Sequence, residues 1–224
     1  MNKKIDRIEK IISKHKRDKM KKSITSIFAA ASLATFLLSG CTNHKEALKV
    51  LPNELAIADD CKNTNKQFEM DCYDLISYKN SFAQLRLGIA AQTNQNYQEA
   101  FHRYTLAQQK GNFYANALLA DLYNKSDLVK DKESKVLDLL KDVDEVDPIA
   151  AYKLSYYYMG KKDYDKAIKL LEFAAINNVK KAQYDLYKIY SEGAITKMDT
   201  DKSKQWFKEY ENKTNSFIRK IYGI

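Results

Sequence analysis

From about residue 80 onward, small and apolar residues return every four positions, the spacing that places side chains on one face of an α-helix. Four segments share the pattern: Ala83 to Ala91, Ala115 to Tyr123, Ala150 to Tyr158 and Ala182 to Tyr190. Each has an alanine, a leucine four residues later, and an apolar or aromatic residue four after that. The leucines, Leu87, Leu119, Leu154 and Leu186, are spaced 32, 35 and 32 apart. A second helix follows each first one, at Ala100–Tyr104, Val136–Leu140, Ala167–Leu171 and Ser203–Phe207, with starts 36, 31 and 36 apart. A pattern recurring at this period is the signature of stacked helix pairs. The boundaries agree. Asn96 to Glu99 reads as a capping box, and Asp147 before Pro148 as an N-cap with proline at the first helical position. Asp163 caps the helix holding Ala167, and Gly111 and Gly193 sit where helices stop. No stretch alternates as a half-buried strand would. The expected class is all-α.

The first forty residues follow a different plan. A basic run, Lys14 to Lys22, precedes an apolar run, Ile27 to Leu38. A run of twelve residues is too short to cross a bilayer comfortably. Basic, apolar, then small residues is the layout of a secretory signal. Leu38-Ser39-Gly40-Cys41 at its end resembles the lipobox of bacterial lipoproteins. The resemblance implies cleavage before Cys41, a diacylglyceryl group on its sulfur and acylation of its new amino group. Met20-Lys21-Lys22 offers a second start for this leader.

The leader changes the charge balance. The full chain carries 38 Lys+Arg, 29 Asp+Glu and a net +9, of which residues 1–40 hold +7. The remainder is nearly neutral, so the basic balance gives no ground for a nucleic-acid partner. With only two prolines and six glycines, and all sixteen tyrosines after Cys41, the product reads as helical with bulky packing. Cys61 and Cys72 form an even pair in an oxidising compartment, where a disulfide is the default. One straight helix would hold them about 16 Å apart, whereas a disulfide needs Cα atoms within roughly 7 Å. The chain must therefore turn within Lys62 to Asn65. A metal pair is the alternative, but it lacks nearby histidines.

The array resembles the Sel-one-like repeats, relatives of the tetratricopeptide family. Ala167-Ile168-Lys169-Leu170-Leu171-Glu172-Phe173-Ala174-Ala175 follows the outline of their second helix. Trp206-Phe207 fills its bulky pair in the last repeat, and Ala182, Leu186 and Tyr190 partly match the first helix. The glycine after the leucine survives only as Gly88, and the glycine-rich inter-helix loop is reduced to Gly160 or Gly193. The resemblance implies a right-handed superhelix of antiparallel helix pairs, an α-solenoid of about four repeats over residues 81–212. Residues 41–80 are then a lipid tether with an N-terminal helical cap, and residues 213–224 a C-terminal cap. Within the first cap, Thr42 to Lys45 read as tether and Asn53 caps a helix through Leu55 and Ala58. Phe68, Tyr73, Leu75 and Ile76 cover the first repeat.

Candidate chemistry is sparse. The sequence contains no His-Glu-x-x-His, Gly-x-Ser-x-Gly or glycine-rich phosphate loop. His102 reads as a surface or edge residue. Asp142, Asp144, Glu145 and Asp147 lack calcium-loop spacing and read as a solvated turn. No metal, cofactor or catalytic residue is assigned. Tyr123, Tyr157, Tyr158 and Tyr190 fall on core positions. Tyr152 and Tyr184 lie on another face, with Tyr156, Asp121 and Lys188 near them by periodicity. On related folds the first helices line the concave surface, so these five are the candidate partner-binding residues. Filling of the groove between repeats is the alternative for Tyr152 and Tyr184.

The resemblance implies a non-enzymatic lipoprotein that binds a protein partner through its array. Thr42 after the lipid cysteine, where an aspartate would resemble the inner-membrane retention signal, points to the outer membrane facing the periplasm. An immunity protein against a secreted effector such as a phospholipase and an envelope adaptor both fit. β-Lactam binding or hydrolysis, known among cysteine-rich relatives, fits poorly with one candidate bridge.

Overall fold

A computed structural model describes residues 44–125, 131–213 and 216–223. The leader, Cys41 with its expected lipid, and Thr42 lie outside the described residues. Those described are built from eleven helices with no strand. Helices α1 (His44–Asp59) and α2 (Lys66–Ser77) precede four pairs. These are α3 (Ser81–Thr93) with α4 (Tyr97–Gln109), α5 (Ala115–Lys125) with α6 (Lys132–Lys141), α7 (Pro148–Gly160) with α8 (Tyr164–Ile176), and α9 (Lys180–Glu192) with α10 (Thr200–Glu211). A short α11 (Phe217–Tyr222) ends the chain. Each helix packs on the next from α2 to α10, so one apolar core runs from Leu51 to Tyr222. No pair could bury its apolar face alone, and stacking is what closes each one.

Side-chain caps start most of these helices. Asn96 accepts from the Glu99 amide at 3.2 Å, Asp147 from Ile149 at 2.9 Å and Asp163 from Lys166 at 3.3 Å. Each satisfies an amide that has no intrahelical acceptor. The return bond of the box at Asn96 is not made: the Asn96 amide donates to the Ala91 carbonyl at 2.9 Å, and Glu99 accepts from the Arg103 guanidinium at 2.6 Å.

The helix pairs turn without many glycines. Gln95, Gly111, Lys162 and Asn178 all adopt positive φ, between 60° and 85°. In each case the next amide reaches five residues back: Asn96 to Ala91, Asn112 to Ala107, Asp163 to Tyr158 and Val179 to Ala174, at 2.9 to 3.1 Å. This is the left-handed turn that ends a helix, a conformation glycine adopts without strain. Only one of the four positions holds glycine, which explains how glycine-poor loops still serve this fold.

Small residues set how closely the pairs approach. A Cβ on Gly88 would lie 2.5 Å from Cε1 of the fully buried Tyr104 on α4. The equivalent pairs in the next two repeats are Ala120 with Leu140 and Ser155 with Leu171, again small against large.

At the N-terminal end three expectations are corrected. Asn53 does not start a helix: α1 begins at His44 and runs through Pro52. Proline removes one backbone donor there, while Leu51 and Ala58 are buried against the array. Lys45, expected in the tether, is already helical. Phe68 is exposed rather than lying over the first repeat, whereas Tyr73 and Ile76 are buried. Cys61 and Cys72 are bonded, with Cα atoms 5.6 Å apart across the turn between α1 and α2. Glu54 clamps α1 to the start of α3, its side chain accepting from the Ser81 amide and hydroxyl.

The tyrosines divide differently from the sequence pattern. Tyr190 is buried, but Tyr123, Tyr157 and Tyr158 are only half-buried. Tyr158 carries the Lys166 ammonium 4.2 Å above its ring, a cation–π contact that needs an accessible face.

Helix α11 returns to the first repeat. It packs on α3, with the Phe217 amide donating to the Asn178 carbonyl at 3.1 Å. The Tyr222 hydroxyl donates to the Tyr114 carbonyl at 3.3 Å. Ile221 and Tyr222 are buried. Gly223, at φ 74°, brings the backbone against the Arg86 guanidinium, where any side chain would collide.

Candidate partner-binding surface

The first helices of the last three pairs, α5, α7 and α9, are bridged by side-chain bonds of one kind. Aligned on the repeat leucines, Lys153 and Asp185 occupy the same position, and Asp121 and Tyr156 the position three residues further on. Lys153 donates to Asp121 of the preceding repeat at 2.5 Å. Tyr156 donates to Asp185 of the following repeat at 2.7 Å. At both boundaries the bond joins one position of a first helix to the position three further on in the helix before it. Arg86 shares the position of Lys153 and reaches Asp59 on α1 at 3.4 Å.

Tyr152 stands one turn before Tyr156 on α7. Their hydroxyls are 3.1 Å apart and their rings meet edge to face at 5.3 Å. Burial pushes the Tyr152 phenol above its ordinary value, and its hydrogen bond to Tyr156 and the Asp185 charge push it further. Burial likewise raises Tyr156. Both hydroxyls therefore stay protonated at physiological pH and act as hydrogen-bonding groups rather than charges.

These side chains border a cleft of about 460 Å³ between α5, α6 and α7. Its apolar part comes from Ala120, Val136, Leu137 and Tyr157, and its polar edge from Asp121, Lys153, Tyr152 and Tyr156. Apolar walls with a few convergent polar groups are the usual make-up of a recognition site. All of these groups sit on helices held by the core, so they are positioned before any ligand arrives.

Of the five candidate residues, the cleft brings together Asp121, Tyr152 and Tyr156. Tyr184 and Lys188 lie elsewhere on α9. Tyr184 packs on Tyr187 and Tyr210, at 5.7 and 5.2 Å. Lys188 pairs with Glu192 one turn on, which holds its ammonium above the ordinary lysine value. Sequence reasoning missed Lys153, Asp185, Val136 and Leu137. The first two were traceable, because opposite charges recur at one repeat position.

Among the described residues no group of three or more His, Cys, Asp or Glu side chains could hold a metal ion. No helix there is long and apolar enough to cross a membrane. His44 bonds the Asp142 carbonyl at 2.8 Å, and His102 is exposed.

No family model and no curated protein matches the chain. Solved structures do resemble it. One is a protective antigen present in uropathogenic Escherichia coli strains that displays an SLR fold. The match has a TM-score of 0.56 and 21% identity, covering 75% of this chain and 39% of that one. Another is a Sel1 repeat protein from Oxalobacter formigenes, with a TM-score of 0.59, 18% identity and 77% of each chain covered. The chain spans about two fifths of the length of the first. These likenesses establish the fold as a Sel1-type, tetratricopeptide-related array of helix pairs.

Proposed function

We propose that this chain is a non-catalytic scaffold that binds a protein partner at the cleft between α5, α6 and α7. The observation that carries the reading is the pairing of Tyr152 and Tyr156 beside the Asp121–Lys153 bridge on rigid first helices. Tyrosine supplies apolar area and a hydroxyl at low entropic cost, the character of a binding hot spot. The resemblance to lipoprotein signals supports a lipid anchor on Cys41 and an outer-membrane location facing the periplasm. Within that setting the finer reading is an immunity protein that neutralises a secreted effector, a phospholipase being the leading class. An envelope adaptor is the competing outcome.

Capture from the native envelope and culture with the full chain, followed by mass spectrometry, tests this. A secreted lipase or other toxin, bound and inhibited, is the expected result, and loss of binding in Tyr152→Ala with helicity retained places it at the cleft. Resident assembly proteins in its place would make the chain an adaptor. Binding untouched by Tyr152→Ala and Tyr156→Ala would move the interface elsewhere. Cys41→Ser should release the chain from the membrane fraction, and detergent-dependent association that persists would refute the lipid anchor.

A further inference from the structure

Two bonds between helices set a cation on a carboxylate: Arg86 on α3 reaches Asp59 on α1, and Lys153 on α7 reaches Asp121 on α5. Between α7 and α9 the carboxylate is Asp185, and a neutral group meets it instead. Tyr156 donates to it at 2.7 Å. Among the described residues no lysine or arginine forms an ion pair with Asp185.

The direction of the bonds at this boundary follows from counting protons. A tyrosine hydroxyl has one proton to give, and a carboxylate only accepts. Tyr156 spends its proton on Asp185, so the 3.1 Å bond between the two tyrosines is donated by Tyr152. Burial raises both phenols, and their mutual bond raises Tyr152 further while lowering Tyr156, the sense this donor requires. Tyr152 Oη is left with lone pairs alone, at the head of a chain that begins on an unpaired carboxylate. Hydrogen bonds in series polarise one another, so the Asp185 charge is felt at that oxygen.

Both tyrosines line the cleft, and Tyr156 is 49% exposed. The cations of this chain around the cleft are engaged or offset. Lys153 holds Asp121, Lys161 lies over the Tyr157 ring at 5.5 Å, and Lys132 is followed by Glu133 at the rim. Tyr158 and Tyr190 carry Lys166 and Lys202 over their rings at 4.2 and 4.7 Å. Among the described residues no cation stands over Tyr152 or Tyr156.

We propose that the cleft receives a cationic side chain of the partner, an arginine before a lysine, which donates to Tyr152 Oη and balances Asp185. A guanidinium offers five donors and a flat face that stacks on a tyrosine ring. Its aliphatic stem suits Val136 and Leu137 on the apolar wall. An acidic side chain would set its lone pairs against those of Tyr152. The inference rests on the cleft being the partner site, and it adds the chemistry that the site selects.

The test uses the full chain in detergent micelles and an end-blocked Gly-Arg-Gly peptide, read by saturation-transfer NMR. The arginine peptide is expected to bind about fivefold or more tightly than its neutral citrulline analogue, and the glutamate analogue is expected not to bind. Tyr152→Phe keeps the ring and removes the acceptor. Tyr156→Phe keeps Tyr152 and cuts it from Asp185. Each should lower arginine binding by about fivefold, with circular dichroism showing unchanged helicity. Equal binding of citrulline or glutamate, no binding of the arginine peptide, or affinity untouched by both variants each overturns the proposal. A captured partner lost with Tyr152→Ala but kept with Tyr152→Phe would also overturn it while leaving the cleft as the partner site, whereas a partner kept by both variants would remove the site itself.

Discussion

Lys153 on α7 bonds Asp121 on α5 across the repeat boundary, at 2.5 Å, with side chains roughly a quarter and a third exposed. The pair is wet, so its contribution to stability is screened. A double-mutant cycle with Asp121→Asn and Lys153→Gln, read by urea denaturation, should give a coupling of about 1 kcal/mol or less. A coupling several times larger would mean that the bridge holds repeats two and three together rather than dressing the cleft.

Lys162 occupies a left-handed turn that suits glycine, at φ 60°. An L-residue there carries strain of roughly 1–2 kcal/mol, part of which returns as chain entropy when glycine is introduced. Lys162→Gly is therefore expected to be neutral or to raise stability by up to about 1 kcal/mol. Gly111→Ala, at φ 85°, should lower it. Thermal melts of the two variants compare the same turn in opposite directions, and a loss at Lys162→Gly comparable to that at Gly111→Ala would contradict the assignment.

Asp147 is fully buried at the start of α7, where burial pushes its carboxyl up to about 7 while the Ile149 and Ala150 amides and Lys153 pull it down. One oxygen has no hydrogen-bond partner. Tyr114 and Tyr222 also feel its charge. The folded chain keeps a proton that the unfolded chain loses near its ordinary 3.8. This group's stabilisation is accordingly complete below about pH 4 and is lost as pH rises toward 7. Asp147→Asn retains a capping oxygen and removes the titration. Its stability relative to the parent should grow between pH 4 and pH 7, and a difference that stays constant over that range would rule out the buried acid.

Gly88 lies against Tyr104, where an added Cβ would fall 2.5 Å from the ring. Gly88→Ala should destabilise by about 1–3 kcal/mol, because the buried ring has no room to withdraw. The second repeat suggests the repair, since Ala120 and Leu140 hold the same two positions. Adding Tyr104→Leu should recover most of the loss. If the double variant is no better than the single, the repeat alignment at these positions is wrong.

Much of this molecule is written locally. The four-residue spacing of Ala83, Leu87 and Ala91 and its three echoes specify helices and their buried faces, because those depend only on residues a turn apart. Asp147-Pro148 and Asp163 mark helix starts for the same reason: a cap acts on amides two or three residues away. The periodicity also placed Asp121, Tyr152 and Tyr156 on one surface.

Other features depended on contacts that no local pattern encodes. The span of α1 through Pro52 reflects burial of Leu51 and Ala58 against a helix more than twenty residues away, although the proline removes one backbone donor there. Lys153 meets Asp121, and Tyr156 meets Asp185, only once stacking offsets neighbouring first helices by three positions. Tyr184 lies with Tyr187, Phe207 and Tyr210 because α9 and α10 pack against each other. Tyr222 reaches Tyr114 across 108 residues, a partnership decided by where the curve of the array brings its ends. The sequence by itself determined the helices, their pairing and their period, since these follow from spacing along the chain. Only the tertiary structure decided which faces meet, which remain open and where the chain's end returns, since those follow from shape summed over all the repeats.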